Sequence, residues 1–590
     1  MIATAPAQES QEKSKPAGNP ASAAALGEAA AILRDLQELS AAVERETTTG
    51  QAAIPAALGT EELLRRMGRP ERRVGTPQVD SKAVDELVAK TLEAEKVAPA
   101  KTVGDEEFIR RVTLDVLGKL PTPAEVQSFI REKDSKKREK LIERLLGSSD
   151  YATNWARYWR DVIKYRATDE RLQIVNYPKL EEWLAEQFRE NRPWDVIAGE
   201  MISATGNNNE NGAAVFASAH MGTAVEFAGE VSRVFLGVQI QCAQCHDHPT
   251  DSWKREQFHE FAAFFAGVNV RPNRRGPMPE PGGTVVARPR VRYTMPDLED
   301  PAKSIPVEPK FFLASSESPV PANLSVEQRR LLAASYVTGQ DNPWFAKAFV
   351  NRIWYALVGE GFYNPVDDLG PQRQPHAPEV LDAIAGGFAE SGYDIQWLFR
   401  TILGTRTYQR QFRPVATAAG KTPFAANCAS RLRSDQIIDS LAQALDMEVV
   451  EGGNLRAVLA GNRANRPNAP RGGGPPRLPR LLINATFGVD PSTPNEEVLG
   501  TIPQALYLMN SPEVNRAISA RGGVVDKILQ EFPDNRAAAE AAYLKILSRR
   551  PTRDELETIA RYFSQSTNRR EAFEDLVWAL VNSTEFISRK

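Results

Sequence analysis

The sequence predicts a mainly α-helical protein: two helical domains joined by a Pro/Arg-rich connector with minor β structure, behind a low-complexity leader. Three observations carry this reading. Apolar residues recur at helical spacing beyond about residue 78, capping signals punctuate them, and Pro, Gly and Arg collect in two stretches that break the pattern. At 590 residues the chain is too long for a single core. Apolar and charged fractions of 42% and 25% are those of an ordinary globular protein. A net charge of −3 gives no bulk electrostatic case for nucleic acid or an anionic membrane. Uninterrupted apolar runs are too short for a transmembrane helix.

Residues 1–77 read as a disordered leader rich in Ala, Pro, Ser and Glu, with one helix-like stretch near 27–46. They hold no apolar secretory core, so any export signal has been cut off or left out. The first helical domain spans 78–270. In it Phe108, Val112, Val116 and Leu120 form a buried stripe, and Thr122 with Glu125 forms a capping box ahead of a new helix, with Pro123 at its first position. Trp155 and Trp159 share a helical face read as core, and Arg157, Arg160 and Asp161 beside them read as an ion-pair network. The connector, 271–320, carries short Val/Tyr runs at 284–286 and 291–293 that suggest a small hairpin.

The second helical domain spans 321–590. Its string LSRRPTRDE at 547–555 echoes LGKLPTPAE at 117–125, and a helix and a serine-containing turn follow each copy. The echo implies similar helical subdomains at opposite ends. Residues 452–480 hold six arginines and no acid, and read as a solvated loop. The sharper alternative for that loop is a site for an acidic polymer. His376, at a helix start, reads as a cap or packing residue, and Cys428 as a small buried one.

The chemistry concentrates at Cys242-Ala-Gln-Cys245-His246. With three cysteines and five histidines in the whole chain, chance assembles a C-x-x-C-H string about once in ten thousand sequences of this composition. The string is the attachment signature of c-type haem, with two thioether bonds and an axial histidine. Four readings compete. In the first, Cys242 and Cys245 tether haem c and His246 binds iron, with a sixth ligand from His220, Met221, His248, His259 or Met278. In the second, thiolates and imidazoles hold structural zinc. In the third, the cysteines form a redox or structural disulfide. In the fourth, His246, His248 and Asp251, with Asp247, form a hydrolytic zinc or iron site. Val231, Val234, Phe235 and Val238 place a helix running straight into the motif. The following Trp253, Phe258, Phe261, Phe264 and Phe265 read as core, or alternatively as the wall of a haem site.

Residues 79–268 resemble the planctomycete cytochrome-like domain of unknown function. The matching strings are FIRRVTLDVLGKLPTPAE at 108–125, WARYWRD at 155–161 and FLGVQIQCAQCHDHP at 235–249. The C-terminal half resembles the planctomycete domain that habitually follows, through NRIW at 351–354, PVDDLG at 365–370, HAPEVLD at 376–382 and IPQALYLMNS at 502–511. The resemblance implies haem binding and electron transfer on Cys242, Cys245 and His246, with a histidine of the family string at His248. It also implies an exported protein with a redox partner. Members often carry a further cytochrome c domain upstream, which this sequence does not show. The alternatives are a metal-dependent hydrolase acting on an extracellular polymer, and a non-enzymatic envelope scaffold with a Cys242–Cys245 disulfide.

Overall fold

The computed structural model describes residues 74–167, 174–220, 222–273, 282–289, 291–300, 302–313, 320, 324–413, 422–451, 477–495 and 501–589. The first helix-rich region runs α1 Ser81–Ala94, α2 Asp105–Leu117, α3 Pro123–Arg131, α4 Lys137–Leu146, α5 Ser149–Lys164, α6 Tyr177–Arg189 and α7 Trp194–Ser203. It continues through β1 Gly206–Asn207, α8 Ala214–Ala219, α9 Ala224–Val231 and α10 Arg255–Ala262. Four short strands follow: β2 Val268–Pro272, β3 Gly283–Ala287, β4 Thr294–Pro296 and β5 Ser304–Pro306. The second region opens with α11 Val326–Thr338, α12 Pro343–Val358, α13 Pro378–Glu390, α14 Ile395–Gly404 and α15 Ser434–Leu445. Then come β6 Glu448–Val450, β7 Arg477–Pro479, α16 Arg480–Phe487, α17 Ile502–Asn510, α18 Pro512–Ser519 and α19 Val524–Glu531. The described chain closes on α20 Asn535–Leu547, α21 Arg553–Gln565 and α22 Arg569–Val581. The fold is mainly α with minor β, as the sequence predicts.

The echoed strings adopt one local design. Helices α2 and α20 each end on a left-handed residue, Gly118 at φ 74° and Ser548 at φ 58°. A capping box then starts α3 at Thr122 and Glu125, and another starts α21 at Thr552 and Glu555. Even the ion pairs correspond: Lys119 meets Asp150, and Arg549 meets Glu585. The copies also touch. Arg110 Nη2 donates to the Glu585 carbonyl at 2.9 Å, and the Arg550 amide donates to Glu106 at 3.2 Å.

The two regions share their largest core. Trp159 on α5 stacks on Phe349 of α12 at 5.7 Å, Trp194 of α7 lies 4.4 Å from the same ring, and Trp155 meets Phe399 of α14 edge-on at 4.5 Å. A second core gathers α15 to α22 and takes in Leu114 and Leu120 from the first copy of the repeat. Residues between the regions are packed as well. Strands β2 and β3 pair antiparallel with Val270 opposite Val285, β1 adds to the other edge of β3, and β4 pairs with β5. The 291–293 run forms no strand and instead leads into β4. The leader to residue 73, including 27–46, lies outside the described residues, as do Met221, Met278 and 452–476 of the arginine-rich loop. At the loop's described end Arg477 pairs with Glu448 at 3.0 Å, and Arg480 with Asp439 at 2.7 Å. Among the described residues no helix is long and apolar enough to cross a membrane.

A shared core makes the regions unfold together. Trp159→Ala is expected to cost about 3–5 kcal/mol and to raise hydrogen exchange in α12 and α14 as much as in α5. Faster exchange confined to α5 and its sequence neighbours would contradict the sharing.

Candidate functional site

Local chain geometry places the C-x-x-C-H string on a turn of its own. Helix α9 runs into a π-helical turn, Ser232–Leu236, whose apolar side chains Val234, Phe235 and Leu236 are buried. The expected continuous helix stops at Gly237, which takes φ 68°. A side chain there would be strained, and its Cβ would also sit 2.9 Å from Leu369 Cδ1. Ser232 Oγ donates to the Val238 carbonyl at 2.9 Å and closes the break. A separate 3₁₀ turn, Ile240–Gln244, then carries Cys242, with Cys245 at its end. Gln241 ties this turn back to α9 by donating to Glu226 at 3.0 Å.

Both cysteines are free and exposed. His246 is exposed beside them, its Nδ1 2.6 Å from the Asp247 carbonyl. A carbonyl only accepts, so Nδ1 carries the proton and Nε2 keeps its lone pair. His248 has the opposite polarity: the Thr250 amide donates to its Nδ1 at 3.3 Å, which leaves the proton of the neutral ring on Nε2. Asp251 accepts from the Ser252 amide at 2.6 Å, and Asp247 pairs with Lys254 at 2.7 Å. Among the described residues no three His, Cys, Asp or Glu side chains converge as a metal-ligand set.

The second region reaches across to grip this loop with its PVDDLG string. The Leu369 amide donates to the Gly237 carbonyl at 2.7 Å, and Gln239 donates to Asp367 at 2.9 Å. Asp367 also pairs with Arg233 of the π turn at 3.0 Å. Arg233 in turn holds Glu230 at 2.7 Å and donates to the Val162 carbonyl. Burial pushes the Asp367 carboxyl up, but Arg233 and Arg352 outweigh it and hold the group below the usual carboxylate range. Gly370 seats the Asp251 side chain so closely that a Cβ would collide with it, and Arg373 bridges Thr250 and Asp368.

Other sequence candidates fall into place around this clamp. His220 is wholly buried, its Nε2 3.8 Å from Glu230, and neither ring nitrogen has a hydrogen-bond partner. Burial pushes its imidazole down to about 4, against the pull of Glu230 and with the help of Arg233. His259 uses both nitrogens, one toward the Gln244 carbonyl and one toward the Tyr293 hydroxyl, so it has no lone pair for a sixth iron ligand. Trp253, Phe258, Phe261, Phe264 and Phe265 are core: Trp253 meets Phe312 at 5.3 Å and Phe261 meets Phe265 at 5.4 Å. Clefts of about 860 and 900 Å3 open elsewhere, around Lys119 and Asp150 and around Leu556 and Phe563.

Trp155 and Trp159 are core as read, and Arg157, Arg160 and Asp161 join an ion-pair network with Glu181 and Asp439. The His376 side chain is exposed, and Ala377 occupies the N-cap of α13 without a side-chain cap bond. Cys428 is only half-buried.

Two outcomes follow from the clamp. Asp367→Asn keeps an oxygen for Gln239 but leaves Arg233 short of a buried counter-charge. It is expected to cost about 3–5 kcal/mol in denaturant unfolding, and a cost below about 1 kcal/mol would show the pair to be idle. His220 acts through its depressed pKa. The folded state binds its proton less readily than the unfolded chain, so its stabilisation is complete above about pH 6.5. It drains away as pH falls toward about 4, on the order of 3 kcal/mol in all. His220→Leu is therefore expected to flatten the fall in stability between neutral pH and pH 4, and an unchanged slope would contradict the assignment.

Comparison with known families places this geometry. Residues 83–270 match the family described as PSCyt2, a protein of unknown function (DUF1549), and residues 329–465 match PSD1, a protein of unknown function (DUF1553). The searches of curated proteins and of solved structures each gave no match. The C-x-x-C-H turn lies in the first matched segment and the Asp367 string in the second, so the clamp joins one domain to the other. The chain carries a PSCyt2 domain followed by a PSD1 domain, the planctomycete cytochrome-like tandem.

Proposed function

We propose that the protein is an exported electron carrier that holds one c-type haem at Cys242 and Cys245, with His246 Nε2 as axial ligand. Membership of the cytochrome-like tandem associates the chain with haem and redox chemistry in general. The observation that carries the specific reading is the presentation of His246. Its Nδ1 lies 2.6 Å from a backbone carbonyl of its own loop, the second-sphere bond common to iron-binding histidines, and its ring is exposed on the loop that carries two exposed thiols. Cys242 and Cys245 would hold the haem through thioethers, each thiol adding sulfur to one vinyl carbon and hydrogen to the other with no net oxidation. Bound there, the haem would supply one-electron chemistry.

The donor set fits a haem; the surroundings set its character. Lys254, Thr250, Asp251 and Arg373 make the neighbouring surface polar, and Trp253, Phe258, Phe261, Phe264 and Phe265 pack in the core. On this exposed turn that one-electron chemistry would lie within reach of a partner protein. His259 is committed elsewhere and His220 is sealed in, so neither serves as sixth ligand in this arrangement.

Cysteine variants exported in a host with c-type maturation machinery test the proposal. Haem staining on a denaturing gel is expected to weaken when Cys242 or Cys245 alone is changed to Ala and to vanish when both are. His246→Ala is expected to lose the axial signature in the visible spectrum while both thiols remain. Covalent haem persisting in the double variant would overturn the assignment.

A further inference from the structure

We infer that His259 is the positioning residue of the Cys242–Cys245 turn, and that Tyr293, which lies between the two family matches, sets its tautomer. The inference deepens the haem proposal, and only its haem readout rests on that reading.

The geometry is a three-part chain. His259, on α10 and 3% exposed, has Nε2 3.0 Å from the carbonyl of Gln244, the residue immediately before Cys245. A carbonyl accepts, so Nε2 donates and Nδ1 must be the unprotonated nitrogen. The Tyr293 hydroxyl, 2.8 Å away, donates to that nitrogen and so fixes which one carries the proton. Burial supports both roles, holding the His259 imidazole neutral and pushing the Tyr293 hydroxyl up to about 12, so that it stays a donor.

Tyr293 is itself anchored. The Val307 amide donates to its carbonyl at 3.1 Å, and Arg255 Nη2 donates to the Pro296 carbonyl at 2.6 Å. Further along, the Lys310 amide donates to the Glu260 carbonyl. The β4–β5 hairpin is thus a strap over the back of α10, and its hold reaches the cysteine turn through one imidazole. The turn needs this hold because its N-cap residue, Gln239, makes no side-chain capping bond and instead spends its amide on Asp367.

Two substitutions separate this role from plain packing. His259→Phe keeps an aromatic ring in the site but cannot donate, whereas His259→Gln loses the ring and keeps a donor for Gln244. In the haem-free chain, His259→Phe is expected to raise amide hydrogen exchange across residues 240–246 about tenfold, the effect of one lost hydrogen bond. His259→Gln is expected to stay near wild type, with Tyr293→Phe between the two. After maturation, covalent haem yield is expected to follow the same order. A packing role predicts the reverse, with Phe tolerated better than Gln, and that ordering overturns the inference. Wild type that takes up no haem while the exchange order holds would sink the haem proposal and leave the positioning role standing.

Discussion

Arg233 and Asp367 meet at 3.0 Å with both side chains nearly wholly buried, one from each family domain. Removing two charges from water is costly, and a buried pair returns little net stability over an apolar substitute. What it supplies is geometry. Arg233 leads the π turn that ends at Gly237, and Asp367 takes both that guanidinium and the Gln239 amide just ahead of the 3₁₀ turn. Leu369 bonded to Gly237 and Asp251 seated on Gly370 add a cross-domain hold to the loop's ties within its own domain, from Gln241 to Glu226 and from the Gln244 carbonyl to His259. Both domains therefore hold the cysteine loop.

That arrangement gives the second domain a structural role at the cysteine loop, which the sequence left open. Its helices α12 and α14 hold the tryptophans of α5 and α7 in a common core, and its PVDDLG segment is the platform on which the C-x-x-C-H loop lies. The His246 ring is presented outward from this platform, next to two thiols that take no part in packing.

Local features of this chain were readable before its structure. The stripe of Phe108, Val112 and Val116, the capping boxes at Thr122 and Thr552, and the repeated unit around them depend on residues within a few positions of one another. Periodicity and capping register such features directly. The motif at 242–246 was equally plain, because it is contiguous. The clamp was not. Arg233 and Asp367 are 134 positions apart and Gln239 and Asp367 are 128 apart, and no local pattern couples them. The helix expected to run into the motif failed at Gly237, which takes φ 68° and whose carbonyl accepts from the Leu369 amide of the far domain. His259 looked like a free ligand because its two partners, Gln244 and Tyr293, are assembled only by folding.

The central claim is that Cys242, Cys245 and His246 form a haem-attachment site held across two domains. Intact-mass measurement of the wild-type chain, exported with c-type maturation and denatured without reductant, tests it most directly. The account predicts a mass increase of one haem together with the loss of two of the three thiols from alkylation. An unmodified chain in which all three thiols react would contradict it, most plainly with a stoichiometric metal ion bound before denaturation.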